Sequence, residues 1–541
     1  MHVRNFSSDS CVFLRRVPVA SLSMDQTVVE QRRGDWMLLG GLTLITFVLH
    51  VAFYKGYGFF RDELYFIACS RHLAWGYVDQ PPGVAVAAWA SRHLLGDTLF
   101  AIRFAPMLFA AAQVLFIGLT ARAMGGCRYA VLLACICVVA APQYFGSYLN
   151  TDVFMMLGWA ACGYIAVLIL AGGSPRLWLW FGLAAGFALQ GKHAMLFFGF
   201  AFVVGLLLSS QRKMLLGPWP YAGGAVALII FLPNLIWEYR HNWATLELLR
   251  NIAHGNKDLP VGPWAYFVSN VHSLSDLSFP IWSGGILWCL FAKAGRRFRA
   301  IGWMWIVAYV TFIVLKGMTY YLTPIYAPLF AAGAVAVESL LERPATKRAW
   351  LKPVLGTVTA VLILLYGMIG WPFAMPMMPV QKFIAYEQAL GVAPEKWETV
   401  NLNLLPQQYA DMFGWPEMAA AVARVYDTMP PEERATCGIL TRNYGEAAAI
   451  DYFGRAYGLP HAISGHQSYW LWGPGPYTGE CLIVIGNDRE TLQKMFASVV
   501  QAGETYQQYA IPYENHRSIW IVRGPKFGTL EQAWPKFKAW I

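Results

Sequence analysis

From residue 35 onward the chain alternates long apolar stretches with short polar joints, and this rhythm holds to about residue 371. About eleven stretches have the roughly 16–22 residues needed to cross a hydrocarbon core. They lie near 35–54, 99–122, 128–146, 153–171, 176–191, 194–209, 219–237, 279–293, 301–316, 321–341 and 351–371, and each is predicted to be a spanning helix. The joint at Gly191-Lys192-His193 is short enough to leave a re-entrant neighbour open. Two joints are long, 55–98 and 238–277. Their mixed apolar and polar positions suit helices lying in the membrane interface, broken by Pro81-Pro82 in the first and anchored by Trp237, Trp243 and Trp264 in the second. After residue 371 the apolar runs shorten to strand length, at 438–440, 481–485 and 519–522. Helix-like stretches run from Tyr444 to Tyr457 and from Arg489 to Gln501. The predicted fold class is therefore an α-helical polytopic membrane protein, 35–371, with a soluble α/β domain and a partly parallel sheet at 372–541.

Composition agrees. Of 541 residues 57% are hydrophobic and 13% charged, which excludes an ordinary soluble protein. The net charge of +10 does not point to nucleic acid, because the basic residues fall on alternate joints. These are Arg32-Arg33, Arg122 with Arg128, Arg176, Arg212-Lys213, Lys293 with Arg296, Arg297 and Arg299, and Arg343 with Lys347, Arg348 and Lys352. That side is expected to be cytoplasmic. The opposite joints carry Asp62, Glu63, Asp79, Asp152, Glu238 and Asp258. The expected arrangement is thus a multi-pass protein of the cytoplasmic membrane, with the tail 1–34 inside and the C-terminal domain outside. The run Trp36–Tyr54 is too long for a signal-peptide core and lacks a small-residue cleavage site, so it reads as a retained anchor. Met24 is a candidate start, which would leave 1–23 untranslated. Of nine cysteines, Cys127, Cys135, Cys137, Cys162 and Cys289 read as small hydrophobes. Cys437 and Cys481 each open a strand-like run, and their pairing is left open because spacing alone does not set their distance.

The candidate chemistry lies on the outer joints. Asp62 and Glu63 follow the first span, and adjacent carboxylates at a membrane edge are costly unless they serve a function. One of them is suited to take a proton from an acceptor hydroxyl; the plainer alternative is an ion pair with Arg61 or Arg71. Asp79, in Tyr77-Val78-Asp79-Gln80-Pro81-Pro82, could join this acidic site or sit in an ordinary proline turn. Asp152 either caps the helix it opens, as Thr151 could, or shares the membrane face of Asp62. Lys192 and Lys316 break the positive-inside trend. They are candidates to hold a phosphate leaving group, with hydrogen bonds from Tyr320 and Tyr321. The scattered histidines show no metal-ligand spacing, so no cofactor is required; a divalent cation at an Asp79–His site is the remaining alternative. P-loop, dinucleotide-binding and G-x-S-x-G patterns are absent.

Taken together, Phe60-Arg61-Asp62-Glu63-Leu64-Tyr65, Asp79-Gln80-Pro81-Pro82, Arg103-Phe104-Ala105-Pro106, Thr151-Asp152, Gly191-Lys192, Pro233-Asn234-Leu235-Ile236-Trp237 with His241, and Tyr320-Tyr321-Leu322-Thr323-Pro324 resemble a known family. It is the bacterial branch of glycosyltransferase family 39, the GT-C superfamily of dolichyl-phosphate-mannose–protein mannosyltransferases and lipid A aminoarabinose transferases. The resemblance implies inverting transfer of a sugar from a polyprenyl-phosphate donor to an envelope lipid, glycan or protein on the outer membrane face. It puts Asp62 in the catalytic-base position, Glu63 and Asp152 in supporting acidic positions, and Lys192 on the phosphate side. Arg61, Asp79, Lys316, Tyr320 and Tyr321 are the further binding candidates. Gln80 stands where aminoarabinose transferases usually carry lysine, so the sugar is left open. A secondary transporter or flippase is the competing class, and a non-catalytic envelope assembly protein a third. A transporter's ionisable groups would sit near the bilayer midplane in repeated, broken helices, whereas these acids sit at span ends and no repeat is visible.

Overall fold

The computed structural model describes residues 24–141, 144–255, 262–342, 350–396 and 398–540. The segment before Met24, Asp258 and the basic residues at 343–348 lie outside the described residues. The first part of the chain is helical: α1 (Met24–Ala52), α2 (Arg61–Arg71), α3 (Gly83–Leu95), α4 (Leu99–Ala123), α5 (Arg128–Ala140), α6 (Tyr144–Ser147), α7 (Asp152–Leu170), α8 (Leu177–Leu189), α9 (Met195–Leu207), α10 (Trp219–Arg240), α11 (Ala244–His254), α12 (Pro263–Ser273), α13 (Phe279–Phe291), α14 (Arg299–Val314), α15 (Tyr326–Glu342) and α16 (Leu351–Ala374).

Each predicted span contains a helix, because a helix satisfies its own backbone where no water can; in the span expected at 128–146 that helix ends at Ala140, and residues 142–143 lie outside the described residues. The protein is multi-pass, but helix length does not establish eleven crossings. Among the described residues six helices are long and apolar enough to cross, or eight if each of two sharply bent pairs is one span. One bent pair is α9 with the 3-10 turn Ser210–Leu216, at 113°. The bundle packs closely where side chains vanish. A Cβ on Gly333 of α15 would lie 1.8 Å from the Ile281 carbonyl of α13, so the two backbones touch.

The long joints each form two helices, α2 with α3 and α11 with α12. Pro82 is the N-cap of α3, so the proline pair does break the first joint. Only part of the interfacial expectation holds. α3 buries Val84, Ala85, Ala88 and Ser91 and exposes Val86, Trp89, Leu94 and Leu95, as an interfacial helix would. α2 instead is enclosed, with Glu63 to Ser70 all buried. Its Leu64, Tyr65 and Ile67 share one core with Trp415, Val422, Ile439, Ile450 and Ile483 of the C-terminal lobe. The sheet's helix layer needs an apolar cover, and α2 supplies it. Trp243 and Trp264 are exposed, whereas Trp237 is buried and stacked on His241, so it is not a membrane anchor.

The lobe holds five strands: β1 (Gly438–Thr441), β2 (Ala462–Ser464), β3 (Cys481–Ile485), β4 (Phe496–Glu504) and β5 (Ser518–Pro525). Their order is β2-β1-β3-β5-β4, with β1 parallel to β2 and β3, and β5 antiparallel to β3 and β4. The stretch expected to be one helix, 489–501, divides. Arg489–Met495 is helical, and β4 follows as an edge strand on β5. Its β-branched pair Val499-Val500 suits a strand, and pairing outweighs local helix preference. Cys437 and Cys481 do form a disulfide, Cα to Cα 4.7 Å, across the neighbouring strands they open. Cys127 is disulfide-bonded too, so it is not the small free hydrophobe expected.

Candidate active site

The start of α2 is held from every side. Glu63 is completely buried, and both its oxygens are used. Arg103 of α4 donates to Oε1 from Nε at 2.9 Å and to Oε2 from Nη2 at 2.8 Å. The Phe60 amide donates to Oε2 at 2.9 Å and the Leu149 amide to Oε1 at 3.0 Å. Arg103 also donates to the Tyr54 and Gly58 carbonyls, at 2.6 and 2.7 Å. One charge pair thus joins the end of the first span, the start of α2, α4 and the segment leading to Asp152. Glu63 has no oxygen left for a substrate. Its four hydrogen bonds hold the start of α2 in place.

Asp62 is different. Its side chain keeps 30% of its exposure. Oδ1 accepts from the Tyr444 hydroxyl at 2.7 Å and from Arg61 Nε at 3.3 Å. Tyr444 opens the helix Tyr444–Phe453, which is fixed by a capping box between Asn443 and Glu446. Burial, the largest cause, raises the Tyr444 pKa well above the usual phenol value, so it remains a donor. No sequence signal marks Tyr444 as a partner of Asp62, beyond the N-x-x-E pattern that starts its helix.

Arg61, a binding candidate, meets partners across the seam with the lobe. Its guanidinium donates to the Tyr513 hydroxyl, lies 3.7 Å from Asp411 and 3.8 Å from Glu398, and covers the Tyr444 ring at 5.6 Å. All four partners come from the C-terminal lobe, so Arg61 locks that lobe onto α2. Asp411 is buried, and burial pushes its pKa up to about 7 despite the attraction of Arg61.

Asp79 meets the same helix from the other side. The Tyr65 hydroxyl donates to Asp79 Oδ1 at 2.9 Å and lies 2.8 Å from Ser468 Oγ, which accepts from the Val78 amide at 3.1 Å. Gln80 is wholly buried. The proline turn then meets α8, where the Gly83 amide donates to the Gln190 carbonyl at 2.6 Å.

That contact places Lys192. Its ammonium donates to Asp152 Oδ1, and lies 4.8 Å from the Tyr321 ring centre and 5.5 Å from that of Tyr320. Asp152, Lys192, Tyr320 and Tyr321 are therefore one cluster. The cap of α7 comes from neither Thr151 nor Asp152 but from Asn150, whose Oδ1 accepts from the Val153 amide at 3.0 Å. This leaves Asp152 for its lysine. The tyrosine turn is held by α12, through Tyr266 to the Met318 carbonyl at 2.9 Å and Asn270 to the Thr319 carbonyl at 3.2 Å. Lys316 is exposed on a left-handed turn after α14, with no ion pair among the described residues, and does not join the cluster. Nor do the described residues contain three His, Cys, Asp or Glu grouped to hold a metal ion.

Comparison with known proteins bears on what this arrangement is. Residues 79–237 match the family described as dolichyl-phosphate-mannose-protein mannosyltransferase. The crystal structure of ArnT from Cupriavidus metallidurans in the apo state superposes with a TM-score of 0.56, covering 91% of this chain and 98% of ArnT at 14% identity. The chain has the fold of ArnT. The form of ArnT bound to undecaprenyl phosphate gives a TM-score of 0.57 at 13% identity, over 92% and 98% of the two chains. Among curated relatives, the lipid A galacturonosyltransferase RgtD of Rhizobium johnstonii is 29% identical over 208 residues, 36% of this chain and 42% of RgtD. The lipopolysaccharide core galacturonosyltransferase RgtB of the same organism is 24% identical over 335 residues, 61% and 65% of the two chains. The match thus spans less than two thirds of either curated relative.

Proposed function

We propose that this protein is an inverting membrane glycosyltransferase of the bacterial inner membrane. It moves a sugar from a polyprenyl-phosphate donor to an envelope lipid or glycan, of the lipid A and lipopolysaccharide class, on the outer face. The observation that carries this reading is the state of Asp62. It is a carboxylate held by Tyr444 and Arg61 and still open to solvent, beside a buried twin that is fully used. The likeness to ArnT bound to undecaprenyl phosphate supports the carrier class, and the two galacturonosyltransferases support the acceptor class and a hexuronic acid as one sugar to test first.

In this mechanism Asp62 accepts the proton of the acceptor hydroxyl as that oxygen attacks the anomeric carbon. The bond from the anomeric carbon to the phosphate oxygen breaks, and its electron pair leaves with the polyprenyl phosphate. Lys192 releases Asp152 and neutralises the departing phosphate, with the Tyr320 and Tyr321 hydroxyls as further donors. Arg61 and Glu63 hold Asp62 in place, and Asp79 closes the wall through Tyr65. Transfer needs no metal: activity is expected to survive chelation of divalent ions.

The test is mass spectrometry of envelope glycolipids from cells with wild-type, deleted and Asp62→Asn forms. One sugar should vanish from one glycolipid in both mutants, while the Asp62→Asn protein accumulates and melts like the wild type. A sugar lost on deletion yet retained with Asp62→Asn removes Asp62 from the chemistry, and an unchanged envelope favours a transporter.

A further inference from the structure

The far end of α2 carries a second concentration of charge that the reaction does not use. Arg71 ends α2, Arg92 lies in the last turn of α3, and Arg455 follows the helix Tyr444–Phe453 in the lobe. All three turn to one carboxylate, Asp97. Arg92 binds it as a fork, Nε to Oδ1 and Nη2 to Oδ2, both at 2.8 Å. Arg71 and Arg455 stand off at 3.7 and 3.9 Å. The other acid nearby, Asp451, is already used: Oδ1 by the Ala462 amide and His461, Oδ2 by the Tyr469 hydroxyl. Among the described residues Arg71 gives one hydrogen bond, to the Asp451 carbonyl at 3.1 Å, and its Nε and Nη2 are buried without a hydrogen-bond partner. After burial, the charges of Arg455 and Arg92 are what most weaken Arg71's hold on its proton. Arg92 also donates from Nη1 to Ser70 Oγ at 2.7 Å, but Arg71 and Arg455 keep donors unspent, and three guanidiniums around one shared carboxylate lack an oxyanion.

The surroundings say what bears that oxyanion. α3 presents Val86, Trp89, Leu94 and Leu95 to the outside, and Leu94 is 81% exposed. An apolar helix face with basic residues at its edge belongs at the level of lipid headgroups. We propose that Arg71, Arg92 and Arg455 form a binding site for the phosphate or carboxylate of an anionic membrane lipid, whose chains lie along α3. Asp62 and Arg71 are nine residues apart on α2, about 14 Å at the helical rise, so this site is separate from the reacting carboxylate.

Native mass spectrometry of the full chain in detergent tests this, with phosphatidic acid, phosphatidylcholine and inorganic phosphate as probes. The variant is Arg455→Gln, chosen because Arg455 is half exposed and makes only the long contact, so it folds. Lys494→Gln, an exposed charge elsewhere on the lobe, is the control. Wild type should bind phosphatidic acid in preference to phosphatidylcholine. Arg455→Gln should weaken that binding about fivefold or more, as loss of a charge-assisted contact does, and Lys494→Gln should not. Equal affinity in wild type and Arg455→Gln, or equal loss in Lys494→Gln, overturns the site. Displacement of the lipid by inorganic phosphate at millimolar concentration overturns the lipid as its source.

Discussion

Asp62 and Glu63 are neighbours of the same charge type with opposite fates, and their surroundings account for the difference. Glu63 faces inward at the first turn of α2, where two backbone amides and the Arg103 guanidinium, four donors in all, await it. Asp62 is one position round the helix and meets the seam with the lobe. Replacing Glu63 by Gln leaves Arg103 charged in a dry site, a loss of about 3 kcal/mol or more for a broken buried pair. Glu63→Gln should therefore melt well below wild type in detergent, and Arg103→Lys should not preserve the fold's stability, since a lysine cannot make the fork. A Glu63→Gln protein with unchanged melting would show that the pair does not hold α2. The pair Asp62-Glu63 was visible in the sequence as costly charge at a membrane edge. Which of the two stays open was not, because that depends on Arg103 and Leu149, 40 and 86 residues away from Glu63.

Among the elements, the decisive joint is where the start of α3 meets the end of α8. Gly83 allows it: a Cβ there would lie 2.5 Å from the Gln190 carbonyl oxygen. Gln190 is two residues before Lys192, so displacing α3 moves the lysine that faces Asp152. Gly83→Ala should lower donor affinity and cost about 1–3 kcal/mol of stability, as overpacking does. Gly224→Ala on α10, where nothing lies within 4 Å, is the matched control and should melt at or slightly above wild type. Melting curves and donor kinetics together check this, and equal behaviour of the two variants would contradict it. Elements of this kind were largely legible: runs of apolar residues mark the helices, and Pro81-Pro82 marks the break. The enclosure of α2 was not, because its mixed pattern suits either a lipid surface or a protein cover, and only the lobe's sheet decides between them.

At the scale of the whole molecule the membrane bundle and the lobe share one core and one electrostatic clasp. Arg61 with Asp411, Glu398 and Tyr513 forms the clasp. Asp411 has a folded pKa of about 7, raised from 3.8 by burial. Between those values the unfolded chain releases a proton that the folded protein keeps, so this group's contribution to stability falls as pH rises from about 4 to about 7. Asp411→Asn keeps the neutral form at every pH. The melting temperature of Asp411→Asn minus that of wild type should therefore rise across that window and then level off. A flat difference would mean that Asp411 is already ionised in the clasp.

The clasp has a consequence for the order in which the protein is made. Asp62 is synthesised 382 residues ahead of Tyr444, its hydrogen-bond partner. While the later helices are still being threaded, the Asp62 carboxylate exists without its Tyr444 donor. Under the proposed function an unfinished chain would stay silent until its last lobe had arrived and folded, and would leave the cell's activated sugar unspent.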